Sequence, residues 1–174
     1  RDFCLSRGLG DVYKRQANIA ALFLINHLFN WFFAERIGGL IGKIGERNAL
    51  TIEYVGLVCV FTMYAFVDNA YVAAGLYILD HMFFAFAIAI KTYLQKIADP
   101  SDLASTAGVS FTINHIAAVV IPAVLGVVWI TSPSAVFLVG TAFALCSLVL
   151  SQNVPRQPED GNEVIWGRVA KVQA

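Results

Sequence analysis

Charged residues are scarce in this sequence of 174 residues, since 14% are Asp, Glu, Lys or Arg while 58% are hydrophobic. Soluble domains carry about 25% charged residues, so this composition is poor in the polar surface that a water-soluble globule needs. The 12 basic and 12 acidic residues cancel, which gives the chain no overall field to attract nucleic acid. The composition therefore predicts a protein embedded in a lipid bilayer, with no nucleic-acid partner.

Cysteine is also rare, and its spacing excludes several kinds of site. Cys4, Cys59 and Cys146 are too far apart for the paired-cysteine motifs of zinc sites, and an odd number gives no complete disulfide framework. The sequence has no P-loop motif for a nucleotide. We therefore predict no cofactor, no metal and no enzymatic active site.

Long apolar runs are what the sequence has in abundance. Each is near the length of about 20 residues that a helix needs to cross the hydrocarbon core, and a backbone in lipid must satisfy its own hydrogen bonds, which favours helices. The sequence predicts an all-α polytopic membrane protein whose domain, residues 17–151, has five transmembrane helices. Their approximate bounds are 17–35, 49–67, 70–91, 105–131 and 133–151.

Basic residues flank these runs on one side only. The short turns at Asp68–Asn69 and at residues 131–134 carry no Lys or Arg, whereas the other connections and the C-terminal segment are basic. The positive-inside rule makes the basic side cytoplasmic. We therefore predict a cytoplasmic C-terminus, with residues 152–174 forming a mobile tail.

The first 16 residues differ from the rest. Their sequence, RDFCLSRGLGDVYKRQ, begins without Met, is basic and lacks the apolar region of a signal peptide. We interpret residues 1–16 as a non-native leader similar to adapter-derived translations, and we expect the natural chain to begin earlier.

A motif follows the first apolar run. It is the segment GGLIGKIGERNAL, residues 38–50, and the positions that form the motif are Gly38, Leu40, Lys43, Gly45, Arg47 and Leu50. Its spacing resembles the cytoplasmic loop signature of the major facilitator superfamily. Two residues depart from that signature: Gly42 stands where the family has an acidic residue, and Glu46 stands where the family has a basic one. A tight turn anchored by basic residues explains the same pattern without a gating role.

The resemblance implies a fold and a function. The five helices correspond to the eighth to twelfth of a twelve-helix transporter, so the chain would be most of a C-terminal six-helix half. The missing N-terminal half of the same protein, a small-molecule substrate and the lipid bilayer would be its partners. The implied location is a bacterial inner membrane, and the implied mechanism is alternating access.

Polar residues near the middle of three predicted spans are the candidate site residues, because such groups are costly in lipid and usually face a bundle interior or a water-filled cavity. The candidates for proton coupling are Asp80, His81 and His27, since burial disfavours the charged form of a carboxyl and histidine titrates near neutrality. Helical spacing places the candidate cavity residues near them. These are Asn26, Asn30, Tyr77, Asn114 and His115, with Pro122 as a candidate helix kink.

The favoured hypothesis is a secondary active transporter for a small solute, coupled to protons. One alternative is a helical membrane protein that transports nothing, such as a sensor or an assembly subunit, in which the polar residues only join helices. A second is a redox protein that binds haem or a metal through the three histidines, although their spacing lacks the usual pairs.

Overall fold

The computed structural model describes residues 2–159 and 162–166, with side chains from Gln16 onward. Its described part is helical, and the only β-type pairing there is an isolated bridge between Glu159 and Asn162, so the predicted all-α class is confirmed. A short 3₁₀ segment, Ala85–Ala87, separates two of the α-helices. The six α-helices are α1 (Asp2–Ile44), α2 (Glu46–Tyr64), α3 (Ala70–Phe84), α4 (Ile88–Ile97), α5 (Leu103–Thr131) and α6 (Pro133–Ser151).

The first predicted helix ended at about residue 35 and was followed by a loop, whereas α1 continues to Ile44. The predicted loop is therefore too long. Gly38 and Gly42 fit inside this helix with open space around them. Only Gly45 leaves the helical conformation, with φ of 85°, a left-handed value that side chains with a Cβ adopt at a cost. A single glycine therefore makes the turn between α1 and α2. Whether residues 1–16 are a non-native leader remains a prediction.

Within the part of the chain that the structure describes, four helical stretches are long and apolar enough to cross a membrane: Gln16–Ile44, Ala70–Ile97, Leu103–Thr131 and Pro133–Ser151. The second of these combines α3, the 3₁₀ segment and α4, where the sequence predicted one unbroken helix. Helix α2 is not among the four, and it carries Glu46, Arg47 and Glu53. The predicted count of five spans is therefore not confirmed.

Side-chain caps define the two short turns. The Asn69 carboxamide oxygen accepts hydrogen bonds from the backbone N–H groups of Tyr71 and Val72, at 2.8 and 3.4 Å. The Ser132 hydroxyl oxygen accepts one from the Ala135 N–H at 3.3 Å, and Pro133 occupies the first turn of α6. These contacts satisfy donors that the starts of α3 and α6 would otherwise leave free.

Helix α2 lies at the centre of the packing. It contacts α6, α3, α4 and α1, whereas α5 packs mainly against α6 and has no buried residue. The buried residues of α2 recur at helical spacing along one face, and they are Glu46, Ala49, Leu50, Glu53, Gly56, Leu57 and Val60. The apolar part of this face joins α1, α4 and the C-terminal segment in one cluster.

The prediction of a mobile tail is wrong for its first part. Val154 is buried in that cluster, and the Asn153 carbonyl accepts a hydrogen bond from the Ile165 N–H at 2.9 Å. The Tyr93 hydroxyl on α4 donates to the Glu163 carbonyl. Apolar burial and backbone hydrogen bonds thus hold residues 152–159 and 162–166 against the helix ends.

Candidate functional site

A polar group lies between α1 and α3. Asn26 on α1 is only 4% exposed, and one turn before it the Phe23 ring meets the Tyr77 ring of α3 edge to face, with 6.0 Å between centroids. Asn30 lies one turn further along the same face of α1, and its carboxamide nitrogen donates a hydrogen bond to the backbone carbonyl of Asn26 at 3.2 Å. Helical spacing therefore places two candidate cavity residues where the sequence predicted an interior face.

Helix α3 contributes the ionisable residues of this group. The His81 Nδ1 lies 3.0 Å from the Tyr77 carbonyl oxygen and 3.5 Å from the Asp80 carboxylate. The His81 ring also packs on the Tyr77 ring at 4.3 Å between centroids. Both side chains are partly buried, at 34% and 24% exposure for His81 and Asp80.

Several polar atoms of this group have no hydrogen-bond partner among the described residues. The carboxamide nitrogen and oxygen of Asn26 and the hydroxyl of Tyr77 are buried without a hydrogen bond. Buried polar atoms in proteins are nearly always paired, since an unpaired one costs about 1–3 kcal/mol. These three atoms offer donors and acceptors that a polar solute or water can satisfy.

The structure does not bring the other candidates into this group. His27 is exposed although its neighbour Asn26 is buried, and Asn114 and His115 are exposed on α5. The His115 Nδ1 contacts the Phe111 carbonyl of its own helix at 2.9 Å. Pro122 lies inside a continuous α5. A cavity shared by all three histidines therefore stays a prediction.

The motif residues are divided between two helices. Gly38, Leu40 and Lys43 lie on α1, Gly45 forms the turn, and Arg47 lies in the first turn of α2. The Arg47 guanidinium donates to the Gln152 carboxamide oxygen at 3.1 and 3.4 Å, and the Gln152 nitrogen donates to the Thr51 hydroxyl at 3.0 Å. These bonds tie the start of α2 to the end of α6.

Glu46, which departs from the family signature, forms an ion pair. Its carboxylate lies 2.6 Å from the Lys96 ammonium near the end of α4, and the Glu46 side chain is 3% exposed. A basic residue at position 46 would lie against Lys96 and repel it. The acidic residue instead joins α2 to α4.

A pocket of about 720 Å³ opens beside this ion pair. The turn between α1 and α2 forms one wall, with Gly42 to Glu46, and the C-terminal segment forms another, with Arg156 to Glu159. Lys43 and Arg156 line it and form no ion pair within the described residues. The structure thus gathers basic residues from three separated segments at one end of the helices.

Two further residues, Glu53 and Gln152, were not among the sequence candidates. Glu53 is 2% exposed, and its position seven residues after Glu46, on the same face of α2, was the available signal. Gln152 bridges Arg47 and Thr51 across about a hundred residues of chain, and no local pattern announces such a contact.

The histidines do not gather into a metal site. Among the residues that the structure describes, no group of three or more His, Cys, Asp or Glu side chains is placed to hold a metal ion. The described geometry therefore gives no support to the metal-binding alternative.

Comparisons with known proteins give one partial similarity. No family model matches the chain, and no solved structure matches it. Over 131 residues it is 27% identical to the "Uncharacterized MFS-type transporter MJ1317" of Methanocaldococcus jannaschii, covering 75% of this chain and 33% of that protein. The chain therefore spans about a third of the length of this relative. Together with the apolar helices, the similarity indicates an integral membrane protein related to transporters.

Proposed function

We propose that this chain forms part of a secondary active transporter, which moves a small polar solute across the membrane by alternating access. The observation that carries the proposal is the set of unpaired polar atoms of Asn26 and Tyr77, buried between two helices beside Asp80 and His81. The similarity to an MFS-type transporter supports the same function. A second part of the protein, corresponding to the N-terminal half of the superfamily fold, would complete the cavity.

The roles of the residues follow from their chemistry. The Asn26 carboxamide and the Tyr77 hydroxyl would hydrogen-bond the solute, because each can both donate and accept. Asp80 would be the coupling group, and His81 would stabilise its charged form when the imidazole is protonated. Loading and release of one proton at this pair would accompany each transport cycle.

An Asp80→Asn variant tests the coupling role. In proteoliposomes that contain the natural full-length protein, we expect the variant to lose accumulation of solute driven by a pH gradient. Exchange of labelled for unlabelled solute should persist, because the carboxamide keeps the shape of the side chain and removes only the titrating group. The solute would first be identified by thermal-shift screening against a panel of small polar compounds.

The matched control is Asp68→Asn, which changes the same chemical group in an exposed turn. It should accumulate solute as the unmodified protein does. Gradient-driven accumulation that survives Asp80→Asn would remove Asp80 from the coupling role. Failure of every solute to bind or exchange would favour the non-transporting alternative.

A further inference from the structure

Glu53 is a buried carboxyl that the proposed transport site does not use. It is 2% exposed, and within the described residues its Oε2 atom has no hydrogen-bond partner. Leaving such a group ionised in an apolar interior is costly, whereas the protonated carboxyl can be accommodated. Its surroundings therefore decide whether it holds a proton.

Two contacts fix where Glu53 lies. At one side of it along α2, Gly56 packs so closely on the Phe83 ring of α3 that an added Cβ would come within 2.5 Å. At the other side, Glu46 pairs with Lys96 near the end of α4. Helices α2 and α3–α4 run antiparallel between these contacts, so Glu53 lies at the level of the 3₁₀ segment Ala85–Ala87, which α2 also contacts.

No cation of the described residues forms an ion pair with Glu53. Helix α4 carries Lys91, which is exposed, and Lys96, which pairs with Glu46. Helix α3 carries Asp80 and His81, which pair with each other, and α6 has no ionisable carboxyl or amine. The remaining charged groups near this end are Glu35, Arg36 and Lys43 of α1, Arg47 of α2, which bonds to Gln152, Asp99 and Asp102 after α4, and Arg156, Glu159 and Glu163 of the C-terminal segment. The titratable phenols there are Tyr54 of α2 and Tyr93 of α4.

The 3₁₀ segment gives the carboxyl something to act on. A short stretch of 3₁₀ geometry within a longer helix often marks a hinge, and here it interrupts the apolar stretch Ala70–Ile97. Ala85 and Phe86 pack against the buried cluster that also contains Ala49 and Leu50 of α2. A carboxylate at position 53 would be stabilised by water, and separation of α2 from the segment would let water reach it.

We propose that Glu53 is a proton-binding site, in exchange with water through the pocket at the start of α2, and that its protonation keeps α2 packed against the 3₁₀ segment Ala85–Ala87. The proton comes from water in the pocket and adds to a carboxylate oxygen, and it returns there on release. Glu46, which lines the pocket, is about 10 Å from Glu53 along the face of α2, at about 1.5 Å per residue. The site is separate from Asp80, so it does not depend on the proposed transport function.

Infrared spectroscopy of the full chain in lipid nanodiscs tests the proton site without any solute. We expect a band of a protonated carboxyl that disappears as the pH is raised from about 5 to about 9, a range that brackets groups titrating near neutrality. Glu53→Gln should remove this band while the circular dichroism spectrum keeps its helical signal. Glu35→Gln, at an exposed position of α1, and Asp80→Asn should both retain it.

Hydrogen–deuterium exchange tests the link to the 3₁₀ segment. The exchange rates are first corrected for the pH dependence of intrinsic amide exchange. In the unmodified chain, peptides covering residues 83–90 should then exchange several-fold faster at alkaline than at acidic pH. In Glu53→Gln the corrected rate should be the same at both pH values. A spectrum that Glu53→Gln leaves unchanged, or a Glu53 band that persists at every pH, would overturn the proton site. Exchange that responds equally to pH in both proteins would overturn the link.

A substitution at Gly42 tests the route. Gly42 lines the pocket and has open space around its Cα, so Gly42→Trp should fill the pocket. We expect the deuterium shift of the Glu53 band to become several-fold slower than in Gly75→Trp, where the added ring lies outside the pocket. Equal rates in the two variants would show that protons reach Glu53 by another path.

Discussion

At the scale of single residues, the Glu46–Lys96 pair shows how one departure from a motif changes its contacts. The Glu46 carboxylate is buried, whereas the Lys96 side chain is 48% exposed. Removing the ammonium would leave a buried charge unpaired, which costs more than the pair itself contributes. The acidic residue therefore depends on its partner for stability.

We expect Lys96→Met to lower the free energy of unfolding by about 1–2 kcal/mol, less than for a fully buried pair because water reaches the ammonium. The measurement is unfolding by a denaturing detergent, followed by circular dichroism. Lys43→Met is the control, since Lys43 lines the same pocket without an ion pair in the described residues, and its effect should stay within about 0.5 kcal/mol. Equal losses in the two variants would contradict a structural role for the pair.

At the scale of helices, the close approach of α2 to α3 depends on Gly56. A Cβ there would meet the Phe83 ring at 2.5 Å, whereas a Cβ at Gly75 on α3 would meet nothing within 4 Å. We expect Gly56→Ala to lower stability by about 1–3 kcal/mol through overpacking. Gly75→Ala should raise it by about 0.5–1 kcal/mol, because alanine favours the helix.

The same unfolding measurement checks both glycine variants. A combined Gly56→Ala and Phe83→Leu variant should recover part of the loss, because the smaller side chain makes room for the new methyl group. A Gly56→Ala variant as stable as the unmodified chain would show that α2 and α3 can separate without penalty.

The helix positions were predictable where apolar runs had clear ends. The start of α6 at Pro133 was predictable, because Ser132 and Pro133 together specify a helix start. The continuation of α1 to Ile44 was not, because glycines and charges usually mark loops and only the geometry shows that Gly45 alone leaves the helix. The interruption at Ala85–Ala87 has no sequence signal either, since its residues are as apolar as their neighbours.

The candidate site was predictable in part for a similar reason. Helical spacing places Asn26 and Asn30 on one face, and that face packs inward. Burial of Asn26 beside an exposed His27 depends on which helices surround α1, and a periodic pattern does not specify neighbours. Glu53 shows the same limit, because the helices packed on α2, among them α3 and α4, begin some twenty or more residues further along the chain.

At the scale of the whole molecule, the basic residues converge although they are distant in sequence. Lys43, Lys96 and Arg156 line one pocket, while the turns at residues 65–69 and at Ser132 lie at the opposite ends of α2 and α6. Each of those helices has 19 residues, so about 28 Å separates the two ends at about 1.5 Å per residue. This charge asymmetry predicts that the pocket faces the cytoplasm.

Single cysteines test that orientation, in a background without Cys4, Cys59 and Cys146. The reporter positions are Asp68 and Ser134, both exposed, because a change at Asn69 or Ser132 would remove a helix cap and destabilise the turn by about 1 kcal/mol. We expect Asp68→Cys and Ser134→Cys to react with a membrane-impermeant thiol reagent on intact cells. Lys43→Cys should react only after the membrane is permeabilised, which also shows that its thiol is accessible. The orientation is expected because three basic groups on the outer face would oppose the charge bias that sets topology. Labelling of Lys43→Cys on intact cells, with protection of the other two, would place the pocket outside and contradict it.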